Sequence, residues 1–127
     1  MPTYVAVDLG ATSGRVVNVR IDGGSIEQDV VSRFKTAITT TADGSTLWDY
    51  ESLRGEVIRG LVEAAGRGPI RSVAIDSWAV DYGLLDDTGR LAGPVHSYRS
   101  SRTNGVMAEV CARLGREHIY GDRKSVV

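Results

Sequence analysis

At 127 residues with a formal net charge of −1, the chain has room for one domain with a modest core, and its balanced charge leaves no electrostatic footprint for nucleic acid or an anionic membrane. No apolar stretch approaches the roughly 20 residues of a membrane span, and Met1-Pro-Thr-Tyr4 lacks the basic start and apolar core of a signal peptide, so a cytoplasmic location is expected. The lone Cys111 excludes an internal disulfide; within Ala108-Glu-Val-Cys-Ala-Arg-Leu114 it reads as a small helical packing residue.

In chain order, Tyr4-Val-Ala-Val7 and Val16-Val-Asn-Val-Arg-Ile21 are apolar, β-branched runs that read as strands. Between them lies Asp8-Leu-Gly-Ala-Thr-Ser-Gly-Arg15, a strand-to-strand turn in which Gly10 and Gly14 are expected to supply backbone freedom. Ala11, Thr12, Ser13 and Gly14 offer successive amides, and Arg15 a guanidinium, which together can wrap an oxyanion. The octapeptide lacks the Gly-Lys-Ser/Thr end of a Walker loop and the three-glycine spacing of a dinucleotide fingerprint, and a strand rather than a helix follows it. Any phosphate held there would be held by a β-hairpin. Asp8, last on its strand, is placed to meet a hydrated Mg²⁺ riding on such phosphates, because Mg²⁺ keeps its waters and takes few carboxylates. An ordinary hairpin with local side-chain turn bonds explains the same residues.

Ser25 to Phe34 reads as a third strand, joined to the second through Asp22-Gly-Gly24 to complete an antiparallel meander. Thr36 to Thr46 reads as a loop. Trp48, a staple on the core, and Tyr50 lead into a helix capped by Asp49 or Ser52. Its apolar stripe is Leu53, Val57, Ile58, Leu61 and Val62, and Gly66, Gly68 and Pro69 end it. Ile70 to Asp76 follows as a strand parallel to the first, since a helical crossover precedes it; Asp76 then comes to lie near Asp8, as a second carboxylate for the ion or as a strand-end cap. Tyr82 to Asp86 reads as a fifth strand, Asp87 to Arg90 as a turn, and Leu91-Ala92 as a short return. His96 falls in an ordinary strand context, with no zinc-ligand spacing around it. Val106, Met107, Val110 and Leu114 form a helical stripe closed at Gly115, expected to seal one sheet face.

Four stretches in register carry a family resemblance: Val7 to Val16, Leu47-Trp-Asp49, Ala74 to Asp86, and Tyr98 to Met107. Together they resemble the FGGY carbohydrate kinases of the actin-like, ribonuclease-H-fold ATPase group, from about Tyr4 to Tyr120. The resemblance implies an α/β, ribonuclease H-like domain at 1–121, with a mixed sheet, an antiparallel meander and a crossover helix. This would be the opening part of a two-domain, ATP- and Mg²⁺-dependent kinase for a small-molecule sugar, a ketose. Residues 122–127 resemble a sequencing-adapter read-through and are set aside as a non-native tail.

By the same resemblance Ala11, Thr12, Ser13, Gly14 and Arg15 hold ATP phosphates, Asp8 holds the metal, and Ala79, Trp78, Asp81, Arg99 and Arg102 face the sugar. Ala79 stands where the family has glycine, and Ser100 where it usually has an acidic residue. Outside the resemblance, Trp78 also reads as core, Asp81 as half of a surface ion pair, and the arginines as anchors for an opposing loop. The general base and the adenine pocket are expected in the rest of the kinase chain, which leaves these residues without turnover of their own. A kinase for xylulose, ribulose, fuculose or glycerol, and a non-catalytic nucleotide-binding sensor of the actin-like group, are the competing functions.

Overall fold

A computed structural model describes residues 3–124. Four strands make the main sheet: β1 (Thr3–Leu9), β2 (Ser13–Asp22), β3 (Ser25–Lys35) and, after the crossover, β6 (Ile70–Ser77), in the spatial order β3-β2-β1-β6. The first three form the expected meander. Gly23 and Gly24 both take positive φ between the paired Asp22 and Ser25, the conformation a two-residue hairpin requires. β6 runs parallel to β1 with Val5 opposite Val73, Val7 opposite Ile75 and Asp8 opposite Asp76, which is the pairing a helical crossover favours.

The crossover helix α1 (Tyr50–Gly66) is capped by Asp49, whose carboxylate accepts from the amide of Ser52 at 3.0 Å and from its hydroxyl at 2.7 Å. Those two bonds hold the Asp49 carboxyl below the ordinary carboxylate range, the hydroxyl bond contributing most. The face that α1 turns to the sheet carries Leu53, Val57, Leu61 and the buried Gly60 and Ala64, over a core of Val5, Val7, Val16, Val31 and Phe34. Ile58 and Val62, expected in the same stripe, are exposed. Gly60 occupies the contact instead, because a Cβ there would lie 2.5 Å from Val16 Cγ2 and 2.6 Å from Ser32 Oγ. A small residue lets the helix approach the strands.

Three further expectations are corrected. Thr36 to Thr46 is not simply a loop: β4 (Ile38–Thr40) and β5 (Thr46–Trp48) pair as a small antiparallel sheet around a turn at Gly44. There the Asp43 carboxylate accepts from the hydroxyls of Thr41 and Ser45 and from the Ser45 amide, which lower its pKa. Residues 95–97 run along β5 as its other neighbour, with Trp48 N donating to Val95 O (2.8 Å) and Ser97 N to Thr46 O (2.9 Å). Tyr82 to Asp86 is not a strand. It makes one bridge, Leu85 to Leu91, beside a turn in which Asp86 accepts from Thr88 and Arg90. Finally, the helix α2 (Val106–Leu114) buries none of its residues and packs with α3 (Arg116–Lys124) rather than sealing the sheet. Its apolar Met107 and Leu114 are exposed.

The helix α3 continues through 122–124, the start of the segment expected to be a non-native tail; residues 125–127 lie outside those described. No helix among the described residues is long and apolar enough to cross a membrane.

Candidate functional site

The turn between β1 and β2 is shorter than the octapeptide: Asp8 pairs with Arg15 and Leu9 with Gly14, leaving 10–12 as its crest. Three carbonyls here are occupied, one from within the turn and two from Thr36. Ser13 O accepts from Gly10 N at 2.9 Å, Thr12 O from Thr36 N at 3.1 Å, and Gly10 O from Thr36 Oγ1 at 3.0 Å. The amides of Ala11 and Thr12 have no acceptor among the described residues. A turn with most of its acceptors occupied and two amide donors left over is polarised for an anion.

The two glycines act differently from the expectation that they supply backbone freedom. Neither has positive φ. Gly10 is needed because a Cβ would lie 2.8 Å from Ser13 O, and Gly14 because a Cβ would lie 2.5 Å from Phe34 Cζ and closer still to Cε2. Gly14 is thus the floor of the turn against the core.

Asp8 and Asp76 end neighbouring parallel strands at the same edge of the sheet. The Asp8 carboxylate accepts from Arg15, Nη2 at 2.8 Å and Nε at 2.9 Å, so the guanidinium expected on phosphate here neutralises the carboxylate. Asp76 is exposed and its carboxylate has no hydrogen-bond or ion-pair partner among the described residues, so it caps no strand end there.

Beyond the ends of β1 and β6, Leu9, Ser77, Trp78 and Asp81 line a cavity of about 300 Å³. Asp81 also lines a larger one of about 620 Å³, with His96, Ser97, Tyr98, Arg102 and Thr103. Asp81 makes no ion pair among the described residues. Its Oδ2 accepts from Trp48 Nε1 at 2.6 Å and from Trp78 Nε1 at 3.0 Å, and the indoles lie against each other with centroids 4.6 Å apart. Trp48 belongs to this constellation as well as to the core, a part that local sequence did not signal. Arg102 lines the larger cavity, whereas Arg99 lies over the Tyr98 ring (5.3 Å) and donates to its hydroxyl (3.1 Å). Ala79 is exposed and lines neither cavity. Ser100 is buried and its hydroxyl accepts from Thr46 N at 3.4 Å, a structural duty.

This architecture is shared with solved structures. A xylulose kinase from Lactobacillus acidophilus superposes with a TM-score of 0.75 at 15% identity, over 94% of this chain and 24% of that one. A xylulose kinase from Rhodospirillum rubrum gives 0.66 at 20%, over 91% and 24%. The fold, a mixed sheet with an antiparallel meander and a crossover helix, is that of the corresponding quarter of these kinases. No protein-family model matches the chain.

In sequence the chain is a homologue of the rhamnulokinases. It is 42% identical over 118 residues to that of Mannheimia succiniciproducens and 43% identical over 119 residues to that of Klebsiella pneumoniae subsp. pneumoniae, matches that take in 91% of this chain. The chain spans 24% of the length of these relatives.

Proposed function

We propose that this chain supplies the phosphate-binding turn and one wall of the sugar site of a kinase that moves the γ-phosphoryl of Mg·ATP to a hydroxyl of L-rhamnulose. The observation that carries the reading is the turn at 10–12, with the Gly10 and Thr12 carbonyls occupied and the Ala11 and Thr12 amides left over, beside two carboxylates in register. Ala11, Thr12 and Ser13 hold phosphate oxygens, and Gly14 keeps the turn against Phe34. Arg15 balances charge at the edge.

Asp8, with Asp76 beside it, fits a hydrated Mg²⁺, since such an ion needs only one or two carboxylates and keeps its waters. When bound, the ion neutralises charge on the phosphates; the chain's own residues orient the nucleotide's terminal groups and exclude misalignment. Asp81 and Arg102, in the larger cavity, and Trp78, in the smaller one that Asp81 also lines, face the sugar, with Arg99 held against Tyr98 at the margin and Ala79 beside the site. The general base belongs to the remainder of the kinase chain.

The test is steady-state ADP release by the complete reading frame with Mg·ATP and L-rhamnulose, beside xylulose, ribulose, fuculose and glycerol. Preference for L-rhamnulose is expected. Preference for another of these sugars would move the substrate, and nucleotide binding with no sugar-dependent turnover would favour a sensor. The 127 residues alone are expected to release no ADP above background.

A further inference from the structure

Trp48 closes β5 and is 6% exposed, yet its one polar atom reaches Asp81, 33 residues away. Trp78 donates to the same carboxylate oxygen. Two donors on Oδ2 fix the carboxylate's orientation and leave Oδ1 with no partner among the described residues. The rings brace each other, tilted by 47°, and Tyr98 flanks Trp48 with centroids 6.4 Å apart. Neither indole can turn without disturbing the other.

An indole carries one donor and no acceptor, so a Trp48 already bonded to Asp81 reads nothing in the cavity itself. What it can do is decide which oxygen Asp81 offers. We infer that Trp48 is a positioning residue for sugar recognition: with Trp78 it engages Oδ2 of Asp81 so that Oδ1 accepts from a hydroxyl of a polyol in the 620 Å³ cavity. This rests on the sugar-kinase reading above and adds a residue from β5 to those proposed to face the sugar. A tryptophan serving only as core filling would support the same packing without its N–H.

The test is steady-state kinetics of the complete reading frame for wild type, Trp48→Phe, Asp81→Asn and the double variant. Phenylalanine keeps an aromatic ring in the core and removes the donor. Trp48→Phe is expected to raise the KM for L-rhamnulose about tenfold, equivalent to about 1.4 kcal/mol, with kcat and the KM for ATP unchanged. In the Asp81→Asn background it is expected to add nothing further. An unmoved sugar KM, an equal rise in the Asp81→Asn background, or equal losses toward sugar and ATP overturns the inference. Should Trp48→Phe fail to fold, Trp78→Phe removes the other donor to the same oxygen and is read in the same way. A wild type that turns over no sugar defeats the kinase reading and this inference together, whereas normal turnover with an unmoved sugar KM in the variants defeats this inference alone.

Discussion

Asp8 and Asp76 are register partners on adjacent parallel strands, with the Asp8 carboxylate held by Arg15 and that of Asp76 exposed and without a partner among the described residues. An unpaired carboxylate next to a neutralised one, at the carboxyl edge of parallel strands, is an arrangement suited to a cation that arrives with its own anion. Asp8→Ala and Asp76→Ala in the complete protein are each expected to lower kcat/KM by about 100-fold. The Tm of both should stay close to wild type, because an ion pair between half-exposed side chains contributes little to folding. A parallel loss of Tm and activity would make these aspartates structural.

Gly14 tests whether the turn depends on packing. Gly14→Ala should destabilise by about 1–3 kcal/mol, since the added methyl meets the Phe34 ring. Phe34→Leu in the same molecule should restore part of the loss, giving a non-additive double-mutant cycle in chemical denaturation.

Two helix glycines should respond with opposite sign. Gly55 has only Arg59 Nη1 near the place of a Cβ, at 3.9 Å, so Gly55→Ala should stabilise by about 0.5–1 kcal/mol through helix propensity. Gly60→Ala gains the same propensity but collides with Val16 and Ser32, and should destabilise by about 1–3 kcal/mol. Thermal denaturation of the two variants side by side checks this.

The cap on α1 predicts a pH dependence. The folded pKa of Asp49 lies below its ordinary value of 3.8, so the stabilisation is fully present above that value and is lost as pH falls through the folded pKa. Asp43 and Asp86 share the sign, each lowered chiefly by a threonine hydroxyl, from Thr41 and Thr88 respectively. Asp49→Ala should therefore have a lower Tm than wild type at neutral pH, and the difference should close in acid. A constant difference down to strong acid would remove the carboxylate from the explanation.

Much of the sheet was legible in the sequence because its signals are local. The β-branched runs, the Asp22-Gly-Gly24 hairpin and the crossover helix were enough to bring Asp8 beside Asp76. What failed was inference from apolar content alone. Tyr82, Leu84 and Leu85 are apolar enough for a strand, yet they are exposed and find one bridge between them. Thr39 and Thr40 are good strand residues, and Asp43-Gly44 is a hairpin turn, but counting the threonines as loop hid β4. The indole clamp on Asp81 was out of reach: no spacing rule links residues 48 and 81, and only the folded path of β5 joins them.

The flank of β6 has a further consequence. Val73 and Ile75 share a sheet face with the buried Val5 and Val7, but α1 stops short of them and they remain 46% and 60% exposed. The far side of β6 has no neighbouring strand among the described residues. A greasy border ending in unshared backbone donors and acceptors invites another extended segment to zip onto it. Produced by themselves, the 127 residues should accordingly self-associate as concentration rises, while a lysine in place of Ile75 should keep them dispersed.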